Sequence, residues 1–190
     1  MKERPILMSA PMVRAILSGS KTQTRRALRI QPLEVLAMKG ASSGRERVGL
    51  MKRDPEPRGT IFRCKFGVPG DRLWVRETWA EVGTLDPGLI VYRADYPACV
   101  PTQYENIPPV DAITWKPSIH MFRRYSRILL EVVSIRVERL QEISHEDAMA
   151  EGMAFDDALY DYERLWEKIN GPGSWADNPW VWVLEVRRVP

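Results

Sequence analysis

Between Arg127 and Leu140 the apolar residues change phase partway along a β-type run. Ile128, Leu130 and Val132 occupy one set of alternate positions, while Val133, Ile135 and Val137 occupy the other. Side chains in a strand alternate between faces, so a slip of one residue turns a buried row outward unless the strand absorbs an extra residue. The pattern predicts one long strand with a β-bulge near Val132–Ser134. A bent strand of this kind suits a small closed barrel.

Shorter elements surround it. Ile6-Leu-Met8 reads as a short buried strand, followed by a helix with Ser9 as N-cap and Pro11 in its first turn. Met12, Val13, Ile16 and Leu17 share one stripe of that helix, and Gly19 closes it. Thr22, Thr24, Arg26, Leu28 and Ile30 then alternate in one phase, which aims Thr24 inward with Leu28. Strands are expected near Thr60–Lys65, Arg72–Trp79 and Leu89–Ala94, with Val68-Pro-Gly-Asp71 as a turn. Residues 31–59 read as a basic insertion with a flexible Gly40-Ala-Ser-Ser-Gly44 stretch, and the Pro-rich 95–117 segment as a second excursion. Ser144-His-Glu-Asp147 resembles a capping box, with Ile143 placed to staple against Ala148 and Gly152 ending the helix. Ala158, Leu159, Tyr162, Leu165, Trp166 and Ile169 mark a further helix, and Trp180–Arg187 a last strand. These elements make an α+β chain, one domain over residues 1–190, built around a small barrel flanked by helices.

Chemistry concentrates in two segments, Gly19-Ser-Lys-Thr-Gln-Thr-Arg-Arg26 and Gly70-Asp-Arg-Leu-Trp-Val-Arg-Glu-Thr-Trp79. In the second, Leu73, Val75, Glu77 and Trp79 line one side of a strand, so an acid stands in a core-facing row. Such a carboxyl is costly unless paired or protonated. Lys21, Thr24 and Glu77 fit amide or ester hydrolysis. A threonine hydroxyl needs a base, a buried lysine can be one, and an acid of raised pKa can move the leaving-group proton. A continuous strand, however, sets Lys21 and Thr24 on opposite faces, so Lys21 must remain in the turn after Gly19. The alternative is structural: Glu77 salt-bridged to Lys21 or Arg26.

Trp79 and Trp115 each adjoin polar groups and a loop, positions from which an aromatic face can stack a base; core packing is the other reading. His120 can hydrogen-bond a substrate or serve the structure. A net charge of +3 permits an anionic partner without demanding one. Two cysteines with no Cys/His cluster argue against structural zinc and for a reduced cytoplasmic setting. No stretch reads as a signal peptide or a membrane span.

Gly19-x-Lys21-x-x-Thr24-x-Arg26 with Gly70-Asp-x-Leu-x-Val-x-Glu77-x-Trp79 resembles the ASCH family of PUA-like β-barrels. Trp115–Met121 and the Gly173–Trp182 ending look like its longer bacterial and prophage-encoded branch. The resemblance implies a cleft that meets nucleosides, nucleotides or RNA. Through a family member that hydrolyses N4-acetylcytidine, it implies Thr24 as nucleophile, Lys21 as its activator and Glu77 as proton shuttle, with no cofactor or metal. Arg26, Trp79, Trp115 and His120 are the expected substrate contacts. A non-catalytic RNA-binding module, with Arg25, Arg26, Arg123 and Arg124 on phosphates, is the rival expectation. A metal-assisted ribonuclease is disfavoured by the scarcity of clustered Asp and His.

Overall fold

The computed structural model describes residues 1–29, 31, 34–38, 47–51, 60–83, 88–104 and 106–190, with backbone alone for 34–38, 47–51 and 60–62. The long strand is there, as β9 (Leu129–Arg139), paired antiparallel with β10 (Trp180–Val189). Glu185 faces Ser134 while Val186 faces Val132, so Val133 is the extra residue of a bulge. Val133 is exposed, and Leu130, Val132 and Ile135 are buried. The bulge thus reconciles the two phases by expelling one valine.

Five strands form a sheet in the order β1 (Glu3–Leu7), β6 (Arg72–Arg76), β9, β10, β2 (Gln23–Ala27). β1 runs parallel to β6 and the other pairs are antiparallel. Their inner faces and α1 (Ala10–Ser18) share one core, which includes Ile6, Val13, Leu73, Val75, Leu130, Trp182 and Leu184. The expected closed barrel is not formed among the described residues: no ladder joins edge strands β1 and β2. A side chain spans that seam instead, with Arg26 Nη2 donating to the Leu7 carbonyl at 2.9 Å.

α1 ends as expected at Gly19, whose φ of 82° is the left-handed turn glycine accepts readily. Ser9 occupies the N-cap position with extended backbone, but its side chain makes no capping bond. At α2 (His145–Ala150) the Ser144 hydroxyl does accept from the Asp147 amide at 3.1 Å. α3 (Ala158–Asn170) buries Ala158, Tyr162 and Trp166 but leaves Leu159 and Ile169 exposed, a narrower stripe than expected. α2 and α3 cover the outer face of β10, packing on Val181 and Val183. β10 is therefore buried on both sides.

Within residues 31–59, strands β3 (Glu34–Met38) and β4 (Arg47–Met51) pair antiparallel, and β5 (Thr60–Phe62) joins them as a separate sheet. The insertion is thus partly β structure. The Gly40–Gly44 stretch lies outside the described residues. β7 (Trp79–Val82) and β8 (Leu89–Tyr92) form a hairpin. Among the described residues, 95–117 carries no strand. No helix among the described residues is long and apolar enough to cross a membrane.

Candidate functional site

Lys21 lies between Gly19 and β2, outside the strand, where it forms an isolated antiparallel bridge with Glu151, and is 3% exposed. Its amide donates to the Ala15 carbonyl at 3.0 Å. Gly152 comes close enough that a Cβ there would meet the Ala15 Cβ at 2.8 Å and the Lys21 Cβ at 3.3 Å. The Lys21 Nζ donates to the Gln23 carbonyl at 2.8 Å, the Glu151 carbonyl at 2.9 Å and Glu151 Oε2 at 2.6 Å. Only the ammonium form has three N–H donors. Burial pulls its pKa down, while Glu151 pulls it up.

Glu151 leads into a wider network. Arg25 is 1% exposed and lies on the opposite face of β2 from Thr24. Its guanidinium donates to Glu138 Oε1, Asp147 Oδ2 and Gln23 Oε1. Arg136 binds Glu138, Asp147 and Glu185. Burial pushes the Asp147 carboxyl up, but the Gln23 hydrogen bond and the Arg25 and Arg136 charges hold it below its ordinary value. The network ties β2, β9 and β10 to α2. Sequence reasoning did not include Glu151, because its partner Lys21 lies 130 residues away and no periodic pattern links them.

Thr24 faces inward as expected and is fully buried, opposite Leu184 in the β2–β10 ladder. Its Oγ1 has no hydrogen-bond partner among the described residues. All three Nζ donors of Lys21 are engaged elsewhere, so lysine and threonine are not hydrogen-bonded to one another.

Leu73, Val75, Glu77 and Trp79 form the predicted inward row, each buried. The partner of Glu77 is Arg127, in place of Lys21 or Arg26. Arg127 Nε meets Glu77 Oε1 and Nη2 meets Oε2, both at 3.0 Å. The same guanidinium grips Asp95 at 2.7 and 2.8 Å and sits 4.0 Å from the Tyr92 ring centroid. Burial lifts the Glu77 carboxyl above its ordinary value against the pull of Arg127, and Asp95 adds to the rise.

The expected substrate contacts are dispersed. Trp79 is buried, with its ring 4.8 Å from Tyr125 and Lys116 Nζ 4.7 Å from its centroid. Trp115 packs with the small Ala80–Val91–Ile113 cluster and donates from Nε1 to the Val110 carbonyl. His120 is exposed in a short 3-10 turn, Ser118–His120.

A cleft of about 510 Å³ opens at the seam between β1 and β2. Leu7, Arg26 and Ala27 border it from the strands and Met12 from α1; Tyr162, Leu165 and Trp166 border it from α3. Thr78 and Ser118 bring in the segments that carry Glu77 and His120, and Arg25 and Glu151 are its least exposed lining residues. Of the site residues expected from sequence, Arg26 and Arg25 line the cleft; Lys21, Thr24 and Glu77 do not. Compared with known proteins, the chain matches no family model, no curated protein and no solved structure.

Proposed function

We propose that this chain is an ASCH-like domain of the PUA type whose seam cleft binds a nucleoside or nucleotide. The observation that carries this reading is the cleft. Its volume falls in the range of small-molecule sites, and its mostly apolar wall holds a few converging polar groups. The aromatic rings of Tyr162 and Trp166 offer apolar surface to a base. Arg26 spends one donor on the Leu7 carbonyl, one on the Arg25 carbonyl and one on the Met8 sulfur; two of its five N–H groups are left for a phosphate or a base edge.

A second reading, hydrolysis of an acyl-amide on such a nucleoside, is favoured by the buried, unpartnered Thr24 hydroxyl and the depressed pKa of Lys21. It requires Lys21 to release Glu151 and the Gln23 carbonyl and lose its proton. The Thr24 oxygen would then attack the acyl carbonyl as its own proton passes to Lys21, and the leaving amine would take a proton from a protonated Glu77 released by Arg127; a water, losing a proton to Glu77, would cleave the Thr24 ester and free the acyl group as an acid, the Thr24 oxygen recovering its proton from Lys21.

One experiment separates the two. The protein is titrated calorimetrically with cytidine and N4-acetylcytidine, and the mixtures are chromatographed for released cytidine. Binding without turnover, weakened in Arg26→Met, supports the first reading. Turnover that vanishes in Thr24→Val supports the second. Absence of binding to either compound overturns both.

A further inference from the structure

Charge is sorted along the second half of the chain. Residues 112–130 carry Lys116, Arg123, Arg124 and Arg127 and no acid, whereas residues 140–163 carry eight acids and no lysine or arginine. Part of each set is spent inside the protein. Arg127 holds Glu77 and Asp95, while Asp147 and Glu151 hold Arg25, Arg136 and Lys21. The remainder faces outward. Arg123 pairs with Glu3, but among the described residues Lys116 and Arg124 have no acidic partner, and Glu146, Asp156, Asp157, Asp161 and Glu163 no basic one. No ion pair links the two segments within one copy, again among the described residues.

Each charged surface also carries large apolar side chains that the fold leaves uncovered. On the acidic one Phe155, Leu159 and Tyr160 are exposed, and the His145 ring stands edge-on to Phe155 at 5.3 Å. Tyr162 and Trp166 mark the inward face of α3, so helical geometry turns Tyr160 to the opposite side, with Glu163 one turn further on. On the basic one Ile119 and Phe122 are exposed. The Arg124 guanidinium lies 5.2 Å from the Phe122 ring centroid and 4.8 Å from that of Tyr125. Apolar side chains rimmed by charge are the make-up of a docking surface.

We propose that these two surfaces are the halves of one interface: the Ile119–Arg124 segment of one copy of this chain docks on the Phe155–Glu163 surface of a second copy. Charge complementarity selects a second copy as the occupant, because each surface presents the sign that the other lacks. Either a twofold dimer with both contacts made or an open chain satisfies this pairing. With five large apolar side chains at the contact, the interface belongs to the small, transient class. The inference is independent of what the seam cleft binds.

Sedimentation equilibrium on the intact protein, from about 10 μM to about 1 mM, tests it. The weight-average mass should rise with concentration at low salt and fall back in about 0.5 M salt, where the charges are screened. A monomer throughout overturns the inference. Phe155→Ser/Tyr160→Ser and Ile119→Ser/Phe122→Ser each remove exposed side chains, and circular dichroism checks that both variants fold. Each alone should associate about tenfold or more weakly than the parent. Mixed in equal amounts they should form one-to-one dimers more tightly than either does alone, because each lends the surface that the other lacks. A variant that associates as well as the parent, or a mixture no tighter than its components, overturns the pairing. Charge reversal supplies a second pair of variants in case either serine variant unfolds: Asp156→Lys/Glu163→Lys and Lys116→Glu/Arg124→Glu. Neither should associate alone and the mixture should; a mixture that stays monomeric overturns the pairing.

Discussion

Two buried carboxylates, Glu77 and Glu151, solve the same problem in opposite ways. Glu77 is closed. Both of its oxygens are held by the Arg127 fork, and the other side of that fork is held by Asp95. Glu151 is less tightly held, with one oxygen bonded to Lys21 and the other, beside the cleft, 3.5 Å from Arg25 Nη1 and without a hydrogen bond among the described residues. A paired arrangement of this kind serves as a clamp, because each oxygen already accepts from a donor on another segment. A partly paired one has capacity to bind, at the expense of stability. The contrast sets a carboxylate that borders the cleft, Glu151, against one that is fully paired away from it, Glu77.

The largest test of the contrast is removal of each cation. Lys21→Met strands the Glu151 charge in the interior and should lower unfolding free energy by about 3–5 kcal/mol. Arg127→Met should cost less, roughly 2–3 kcal/mol, because the Asp95 side chain is 25% exposed and water can compensate it. Urea denaturation measures both; a larger loss for Arg127→Met would reverse the assignment of roles. Thr24→Val comes next. Replacing a buried hydroxyl that has no partner with an isosteric methyl should raise stability by about 1 kcal/mol. A fall of similar size would show that Thr24 has a partner after all.

The smallest effects concern pH. Glu77 has a folded pKa above its ordinary 4.5, so its contribution is full below that pH and is lost as pH rises through the raised value. Asp147, in the network that includes Glu151, has a folded pKa below its ordinary 3.8. Its contribution is full above that pH and is lost as pH falls through the depressed value. Glu77→Gln should therefore flatten the decline of stability above about pH 4.5, and Asp147→Asn the decline below about pH 3.8, in denaturation midpoints collected across acidic pH. If one limb responded to both substitutions, the two sites would not titrate separately.

Local periodicity made much of the scaffold legible. The phase slip located the bulge to within a residue, because an alternating pattern has only two states and the change of state marks the extra residue. The Leu73–Trp79 row placed Glu77 inside for the same reason, and Ser144 announced the start of α2 through its cap. What was not legible is pairing across the fold. Nothing in the local pattern marked Arg127 as the partner of Glu77, 50 residues away. Arg25 read as a phosphate contact, yet its charge is spent inside the protein on Glu138 and Asp147. A charged side chain carries no mark of its partner until topology brings the two together. The open seam escaped for a related reason: alternation reports which face is buried but not whether edge strands meet.

Among the described residues β2 has only β10 as a strand neighbour, and Lys21 and Arg25 find their counter-charges at Glu138, Asp147 and Glu151. During synthesis, the amino-terminal segment that carries the sequence signature must therefore wait, with its cations still hydrated, until the far part of the polypeptide has left the ribosome. Contacts of such long sequence separation form late and slowly. Premature termination before β10 would thus deprive the nascent chain of the strand that docks its own beginning.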